Sequence, residues 1–200
     1  MKVELSADDL NKIKEFSQNV IARGQSNKHF YSTNLRTPNE QFEDTFRGKA
    51  GEVAVHKWCR LNGIPVSEID FETGKGTFGK TMDCGIDLII GRNKASINTI
   101  KSYDKWLLIP VFKYEEHKRN GIEHLILVKV DRDTESTHAD IVGFISFDEF
   151  DKKKAFFGKG EYPMNLVNDN YGVFIDELSS IKNIFDKVKS TQSTISKSWS

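Results

Sequence analysis

The sequence contains little of what marks disulfide-rich, zinc-binding or membrane-spanning proteins. Its two cysteines, Cys59 and Cys84, cannot build a disulfide framework, and no C-x-x-C pair is present to bind zinc. We expect both to be buried thiols in a reducing compartment. The longest apolar run, 125–128, is far shorter than a bilayer span, and residues 1–5 lack the apolar core of a signal peptide. These absences predict a soluble, cytoplasmic protein with no membrane partner.

The chain also has no excess of charge of either sign. It carries 29 Lys and Arg against 29 Asp and Glu, which gives a formal net charge of zero. A neutral chain argues against a strongly basic, non-specific nucleic-acid binder, although a locally basic cleft is compatible with it. With 200 residues, 38% of them hydrophobic, it is long and apolar enough for one domain with its own core. We expect a single domain over residues 1–189 and a frayed tail over 190–200.

Hydrophobic periodicity predicts two helices in the first third of the chain. Residues 6–23 have apolar side chains at helical spacing, and Ser6 and Asp9 are placed to form a capping box at the start. A polar segment that contains Pro38 follows and is interpreted as a loop. A second helix is predicted over 42–62.

The second predicted helix is apolar on two sides. Its broad apolar face is formed by Phe46, Ala50, Val53, Ala54, Trp58 and Leu61. A narrower stripe of smaller residues lies almost opposite and consists of Gly48, Glu52, Val55 and Cys59. We expect a helix that is packed on both sides, which puts Glu52 in a partly buried position. A lone carboxylate there is costly unless it is paired with a cation or bound to a metal.

The rest of the chain predicts a mixed β-sheet of four to six strands with flanking helices, and therefore an α/β fold. The predicted strands cover 86–90, 95–101, 122–130, 141–146 and 173–175, and further helices cover 147–156 and 176–188. A turn separates the first two strands, so they would pair as a hairpin with Asp87 near Lys101. Strand alternation puts Thr99 on the same face as Lys101 and Ile100 on the opposite face.

Two acids and a lysine in this arrangement predict a hydrolytic metal site. Asp87 and Glu52 offer carboxylate oxygens, which are the ligands that Mg²⁺ prefers. The metal would polarise a phosphoryl oxygen and activate water, and Lys101 would orient that water or stabilise developing charge. More ordinary roles are also open at this point: Asp87 as a strand cap, Lys101 as a solvated edge charge, and Glu52 in an ion pair with Lys49 or His56.

The segment D-C-G-I-D-L over 83–88, followed by a turn and by I-K-S over 100–102, resembles the core of the PD-(D/E)XK nuclease superfamily. The G-x-x-G-E pattern over 48–52 is similar to the acidic helix that precedes this core in many members. The resemblance covers roughly residues 45–110. It implies a restriction-endonuclease-like fold and the activity of a Mg²⁺-dependent endodeoxyribonuclease, with Mn²⁺ as a substitute. It further implies a type II restriction enzyme or a phage or mobile-element nuclease that acts on double-stranded DNA as a homodimer.

By position, the resemblance makes Asp87 the central metal-binding acid, Lys101 the catalytic lysine and Glu52 the helix-borne carboxylate. It also offers the backbone carbonyl of Ile100 to the metal. The chain departs from the family at Thr99, where members usually have Glu, Asp or Gln. Because a neutral hydroxyl is a weak Mg²⁺ ligand, three alternatives stay open: Glu52 supplies the second acid, the chain is a natural non-catalytic relative, or it is an inactivated variant. The competing functions are a non-catalytic DNA- or protein-binding module and a structure-selective nuclease such as a junction resolvase.

Overall fold

The computed structural model describes residues 1–23, 37–71, 85–100, 104–130, 138–160 and 166–184. Its helices are α1 (Ala7–Ala22), α2 (Pro38–Leu61), α3 (Val111–Asn120) and α4 (Phe147–Lys153), with a 3-10 helix at Ile175–Glu177. Its strands are β1 (Lys2–Glu4), β2 (Leu88–Ile90), β3 (Asn93–Ile100), β4 (Trp106–Pro110), β5 (His124–Lys129), β6 (His138–Ser146), β7 (Ala155–Phe157) and β8 (Asn170–Phe174).

Five of these strands form a mixed sheet in the order β1-β6-β5-β3-β2, and three form a second sheet in the order β4-β8-β7. In the larger sheet β3 and β5 are parallel neighbours, and the other neighbours are antiparallel. The smaller sheet is antiparallel throughout. The predicted α/β class and the mixed sheet flanked by helices are confirmed, whereas the sequence pattern does not predict the second sheet.

The five-stranded sheet is buried on both of its faces. Along β5, Ile126 and Val128 belong to a core shared with α1 and α2, whereas Leu125 and Leu127 belong to a second core shared with α3, α4 and the smaller sheet. All four side chains are fully buried. The apolar run in β5 is therefore continuous because its alternate side chains serve opposite cores.

α1 confirms the helix predicted over residues 6–23. The Ser6 hydroxyl accepts a hydrogen bond from the Asp9 N–H at 3.2 Å, and the Asp9 carboxylate accepts one from the Ser6 N–H at 2.8 Å. The same carboxylate lies 3.0 Å from Lys57 Nζ of α2. The predicted capping box is thus present, and it also joins α1 to α2.

α2 begins at Pro38, so the loop predicted over 25–39 is wrong at its last two residues, and the helix predicted from residue 42 begins four residues earlier. The Thr37 hydroxyl accepts a hydrogen bond from the Glu40 N–H at 3.3 Å, and the Glu40 carboxylate accepts one from the Thr37 N–H at 2.9 Å. Pro38 is tolerated because the first helical residue needs no N–H donor. The proline marks the start of this helix and not the loop before it.

Both sides of α2 are packed, as predicted. The buried residues of its broad face are Phe46, Ala50, Val53, Ala54 and Trp58. Val55 and Cys59 of the narrower stripe are also buried, and burial raises the pKa of the Cys59 thiol to about 12. The expectation of a buried thiol is therefore confirmed for Cys59, while Cys84 lies outside the described residues. Leu61 is 77% exposed, so its assignment to the apolar face is wrong; it is the last residue of the helix.

The last third of the chain differs from its predicted elements. The helix predicted over 147–156 ends at Lys153, and β7 follows it. The helix predicted over 176–188 is wrong in its first part, because the 3-10 helix gives way to extended chain. There Ser179 and Phe144 of β6 exchange backbone hydrogen bonds of 2.8 and 2.9 Å.

None of the helices within the described ranges is both long and apolar enough to cross a bilayer. The tail predicted over 190–200 lies outside those ranges. The single domain over 1–189 stays a prediction.

Candidate functional site

Asp87 lies at the start of the β2–β3 hairpin, where its carboxylate closes the end of the ladder. The strands pair Leu88 with Ala95, and the Asp87 N–H also donates to the Ala95 carbonyl at 3.0 Å. Asp87 and Leu88 thus both lie opposite Ala95, as two consecutive residues do in a β-bulge. Asp87 Oδ2 accepts hydrogen bonds from the Ile97 N–H at 2.6 Å and from the Ser96 hydroxyl at 3.2 Å. The strand-capping role that the sequence leaves open for Asp87 is therefore present.

The chain enters this hairpin through Gly85, whose backbone φ is +65°. This left-handed conformation favours glycine because glycine has no Cβ. A Cβ at this position would also lie 2.9 Å from His117 Nδ1 of α3. Gly85 therefore lets α3 approach the segment that carries Asp87. Asp83 and Cys84, which precede it in the nuclease-like pattern, lie outside the described residues.

α2 lies directly against β3 at Gly51. A Cβ on Gly51 would be 2.5 Å from Thr99 Cγ2 and 3.4 Å from Ile97 Cγ2, so only glycine fits without a shift of the neighbours. This contact confirms that Ile97 and Thr99 share one face of β3, and Ile100 packs into the opposite core. Because Glu52 follows Gly51 in the helix, the helix acid lies next to the residue that contacts Thr99.

Glu52 is held by a lysine of its own helix. Its Oε2 lies 2.6 Å from Lys49 Nζ, and the same ammonium donates to the Asp70 carbonyl at 3.0 Å. The Lys49 side chain is 9% exposed and that of Glu52 is 16% exposed. The ammonium also lies 4.5 Å from the centroid of the Phe16 ring, within range of a cation–π interaction. The ion pair with Lys49, one of the roles left open by the sequence, is thus present.

Lys101 lies outside the described residues, so its approach to Asp87 stays a prediction. Ile100 is the last described residue of β3, and its carbonyl accepts a hydrogen bond from the Val130 N–H at 3.1 Å. A carbonyl oxygen has two lone pairs, so this bond leaves capacity for a second partner. Metal binding by the Ile100 carbonyl likewise stays a prediction.

Asp87 contacts β3 directly, whereas Glu52 belongs to the helix that packs on this strand. Asp87 binds the backbone of Ile97, and Glu52 adjoins the glycine that contacts Thr99; these two positions are about 7 Å apart along a strand. Carboxylate oxygens suit Mg²⁺, yet no three His, Cys, Asp or Glu side chains within the described residues are placed to hold a metal ion. The described residues thus offer two carboxylates but no complete set of ligands for a cation. Water and substrate phosphate oxygens, which Mg²⁺ commonly retains as ligands, would have to complete it.

A buried arginine that the sequence pattern does not single out lies one helical turn before Gly51. The Arg47 side chain is 9% exposed, and its Nη1 donates to Asp44 Oδ1 at 3.1 Å. Its buried Nε has no hydrogen-bond partner among the described residues. A Cβ built on the neighbouring Gly48 would meet no atom within 4 Å in the part of the chain that the structure describes. The signal in the sequence is the four-residue spacing from Arg47 to Gly51, which places both on one side of the helix.

Neither a scan of the sequence against protein-family models nor a search of curated proteins found a match. The functional interpretation therefore depends on the residues and distances described above.

Proposed function

We propose that this chain is a Mg²⁺-dependent endodeoxyribonuclease with a restriction-endonuclease-like core, and that Mn²⁺ can substitute for Mg²⁺. The observation that supports the proposal is that Asp87, from the hairpin, binds the backbone of Ile97 in β3, while Glu52 follows Gly51, the residue of α2 that contacts Thr99 of the same strand. β3 is also the strand that leads to Lys101. Two carboxylates and a lysine are suitable groups for metal-dependent hydrolysis of a phosphodiester.

Each of these residues has a distinct role in the proposal. Asp87, Glu52 and the carbonyl of Ile100 would hold the metal, which supplies polarisation of a phosphoryl oxygen and a more acidic water. Lys101 would orient the attacking water or stabilise the charge that develops on the phosphate. The hydrogen bond from the Ile97 N–H fixes the direction of the Asp87 carboxylate, as supporting hydrogen bonds do for metal ligands.

The proposed substrate is double-stranded DNA. A homodimer would supply one site for each strand, because its two-fold axis matches the symmetry of a palindromic duplex. Within this proposal the chain is a type II restriction enzyme or a phage or mobile-element nuclease.

A non-catalytic DNA- or protein-binding module with the same fold is the second candidate, and two contacts favour it. Thr99 packs against Gly51 at the position where the resembling nucleases usually have an acid or Gln. Lys49 already neutralises Glu52 through their 2.6 Å contact. Both features would weaken the binding of a divalent cation, because they reduce the negative charge available to it.

A plasmid cleavage assay separates the two functions. Supercoiled plasmid of mixed sequence is incubated with the protein in Mg²⁺ or Mn²⁺, and nicked and linear products are measured. Asp87→Asn and Lys101→Ala should each reduce cleavage by about 100-fold or more, because each removes a charge used in the transition state. Asp148→Asn and Lys152→Ala, at exposed positions of α4, are matched controls that should keep wild-type activity.

The outcomes point in different directions. Cleavage that is lost in the two site variants and kept in the two controls supports the nuclease. If the wild type does not cleave the plasmid but Thr99→Glu does, the chain is an inactivated nuclease. If the wild type and Thr99→Glu both bind duplex DNA and neither cleaves it, the binding module is favoured. A protein that neither cuts nor binds DNA contradicts the nuclease proposal.

A further inference from the structure

Arg47 is a buried cation whose hydrogen-bonding capacity is largely unused. A guanidinium carries five N–H donors, and the one hydrogen bond found for it among the described residues goes to Asp44. Its Nε is buried and has no partner within the described ranges. Unsatisfied polar groups are rare in protein interiors, and one on a charged side chain calls for an anionic partner.

The position of Arg47 in the fold puts it on the side of α2 that faces the end of β3. After α2 ends, the Pro65 carbonyl accepts a hydrogen bond from the Gly91 N–H at 2.7 Å, just before the start of β3. Gly51, further back along the helix, contacts Thr99 near the end of β3. The helix therefore runs opposite to the strand, and Arg47, one turn before Gly51, lies toward the end of β3.

The helix surface beside Arg47 is open at Gly48. A Cβ built on Gly48 would meet no atom of the described residues within 4 Å, so these residues leave room there for a group of a ligand. Glu52 lies one turn further along the same side of the helix as Gly48. Along the helix, Arg47 directly precedes this position, and the proposed metal-binding acid follows it by one turn.

We propose that Arg47 binds a phosphate of the nucleic-acid substrate beside the scissile position. This inference rests on the proposed function and names a residue that would anchor its substrate. A guanidinium binds phosphate bidentately through two neighbouring N–H groups, and Nε with Nη2 forms such a pair on the edge that does not contact Asp44. Because Nε is enclosed in the ligand-free protein, the side chain turns toward the opening at Gly48 when phosphate binds. Asp44 competes with the phosphate for the same cation.

The test measures binding of a fluorescent duplex in Mg²⁺ by anisotropy at several salt concentrations, in a Lys101→Ala parent so that cleavage does not interfere. Arg47→Met should raise Kd about tenfold or more and lower the salt-dependence slope by about 1, because one phosphate contact is lost. Arg47→Lys should weaken binding with little change in slope, since the charge stays and the two-pronged geometry is lost. Arg60→Met, at the exposed end of the same helix, is the matched control and should leave Kd unchanged.

Asp44→Asn leaves Arg47 in place and removes the carboxylate that competes with phosphate for it. This variant should therefore bind the duplex more tightly, with a lower Kd than the parent. A second readout is the rise in Tm caused by inorganic phosphate, which should be larger in the parent than in Arg47→Lys. Circular dichroism verifies that each variant is folded, and if Arg47→Met is not, Arg47→Lys and Asp44→Asn decide.

Folded Arg47 variants with the Kd, the salt slope and the phosphate-induced rise in Tm of the parent would overturn the inference. A parent that binds no duplex overturns the proposed substrate and not the anion site. In that case a phosphate-induced rise in Tm that disappears in Arg47→Lys supports an anion site at Arg47, and a rise that stays the same rejects it.

Discussion

The carboxylate of Asp87 accepts a hydrogen bond of 2.6 Å from the backbone N–H of Ile97. The Asp87 carboxylate is thus both the proposed metal ligand and the hydrogen-bond acceptor for β3, at the residue directly before β2 begins. Two substitutions separate these roles. Asp87→Ala leaves the Ile97 N–H without its acceptor and should cost about 1–3 kcal/mol of unfolding free energy. Asp87→Asn keeps an acceptor oxygen and should cost less than about 1 kcal/mol, yet both variants should lose metal-dependent cleavage.

Urea denaturation at pH 7 gives the two free energies, and the plasmid assay gives the activities. Cleavage by Asp87→Asn at the wild-type rate would leave the carboxylate with its structural role alone.

The contact between α2 and β3 at Gly51 predicts opposite effects for two glycines of one helix. Gly51→Ala places a Cβ 2.5 Å from Thr99 Cγ2 and should destabilise the protein by about 1–3 kcal/mol through overpacking. Gly48→Ala meets no atom within 4 Å and should stabilise it by about 0.5–1 kcal/mol, because alanine favours the helix. Thermal or urea unfolding measures both.

Thr99→Ser supplies the control for this interpretation, since it removes the methyl group that the new Cβ would meet. The double variant Gly51→Ala/Thr99→Ser should recover most of the stability lost in Gly51→Ala. If Gly51→Ala and Gly51→Ala/Thr99→Ser lose the same unfolding free energy, the contact with the Thr99 methyl group is not the cause of the loss.

The buried ion pair of Lys49 and Glu52 should be far more sensitive to substitution than an exposed one. Lys49→Met removes the ammonium that contacts the largely buried Glu52 carboxylate, and we expect a loss of roughly 3 kcal/mol of unfolding free energy at pH 7. Lys49→Met/Glu52→Leu removes both charges and should recover much of that loss. Lys12→Met breaks the exposed pair of Lys12 with Asp8 and should leave the free energy of unfolding nearly unchanged, because solvent screens this pair. Urea denaturation measures the free energy of unfolding of each variant. Equal losses of this free energy in Lys49→Met and Lys12→Met would contradict the expectation.

Asp151 links the stability of the second core to pH. Hydrogen bonds from Lys154 and from the Tyr114 hydroxyl, the latter at 2.5 Å, hold the pKa of Asp151 below its usual value. A lowered folded-state pKa gives stabilisation that is present above the unfolded pKa, near 4, and is lost as pH falls through the folded one. Asp151→Asn should therefore lower Tm slightly at pH 7, since solvent screens the interactions of this 43% exposed side chain, and it should reduce the further loss below about pH 4.

Tm measured from pH 2 to pH 7 checks this expectation. Asp148→Asn, an exposed neighbour on α4, should keep the wild-type pH profile. If the Tm of Asp151→Asn falls with pH in parallel with that of the wild type, the Asp151 carboxylate does not contribute to the pH dependence of stability.

The sequence predicts α1 and the two-sided burial of α2 well, because both depend on local spacing of apolar side chains. The sequence pattern does not predict the start of α2 or the exposure of its last residue. Pro38 is read as a helix breaker although it also suits a first helical position. Leu61 continues the apolar spacing, but the helix ends there and no neighbouring element covers it.

The second sheet is beyond prediction from local patterns. β4 pairs with β8, so that Trp106 lies opposite Phe174, and the two segments are far apart in the chain. Their pairing depends on long-range packing that short windows of sequence do not contain. The same reasoning applies to Ser179, whose pairing with Phe144 replaces the predicted helix.

The candidate site shows a similar division. Helix spacing offers Lys49 as one possible ion-pair partner of Glu52, and this pair is present. The convergence of Asp87, Glu52 and Lys101 stays a prediction. The spacing from Arg47 to Gly51 puts both on one side of the helix, but it does not predict that Arg47 is buried, because arginine usually lies in solvent and its burial depends on the packing of α2 on two sides.

β3 and β5 are the parallel neighbours that join the two halves of the larger sheet, and β4 and α3 lie between them in the chain. Each also belongs to an antiparallel pair with a shorter connection, β3 with β2 and β5 with β6. Contacts between nearby segments form faster than distant ones, since closing a long loop costs more entropy. We expect the two hairpins to form first and β3 to meet β5 last. The larger sheet would then become continuous only at the final step of folding.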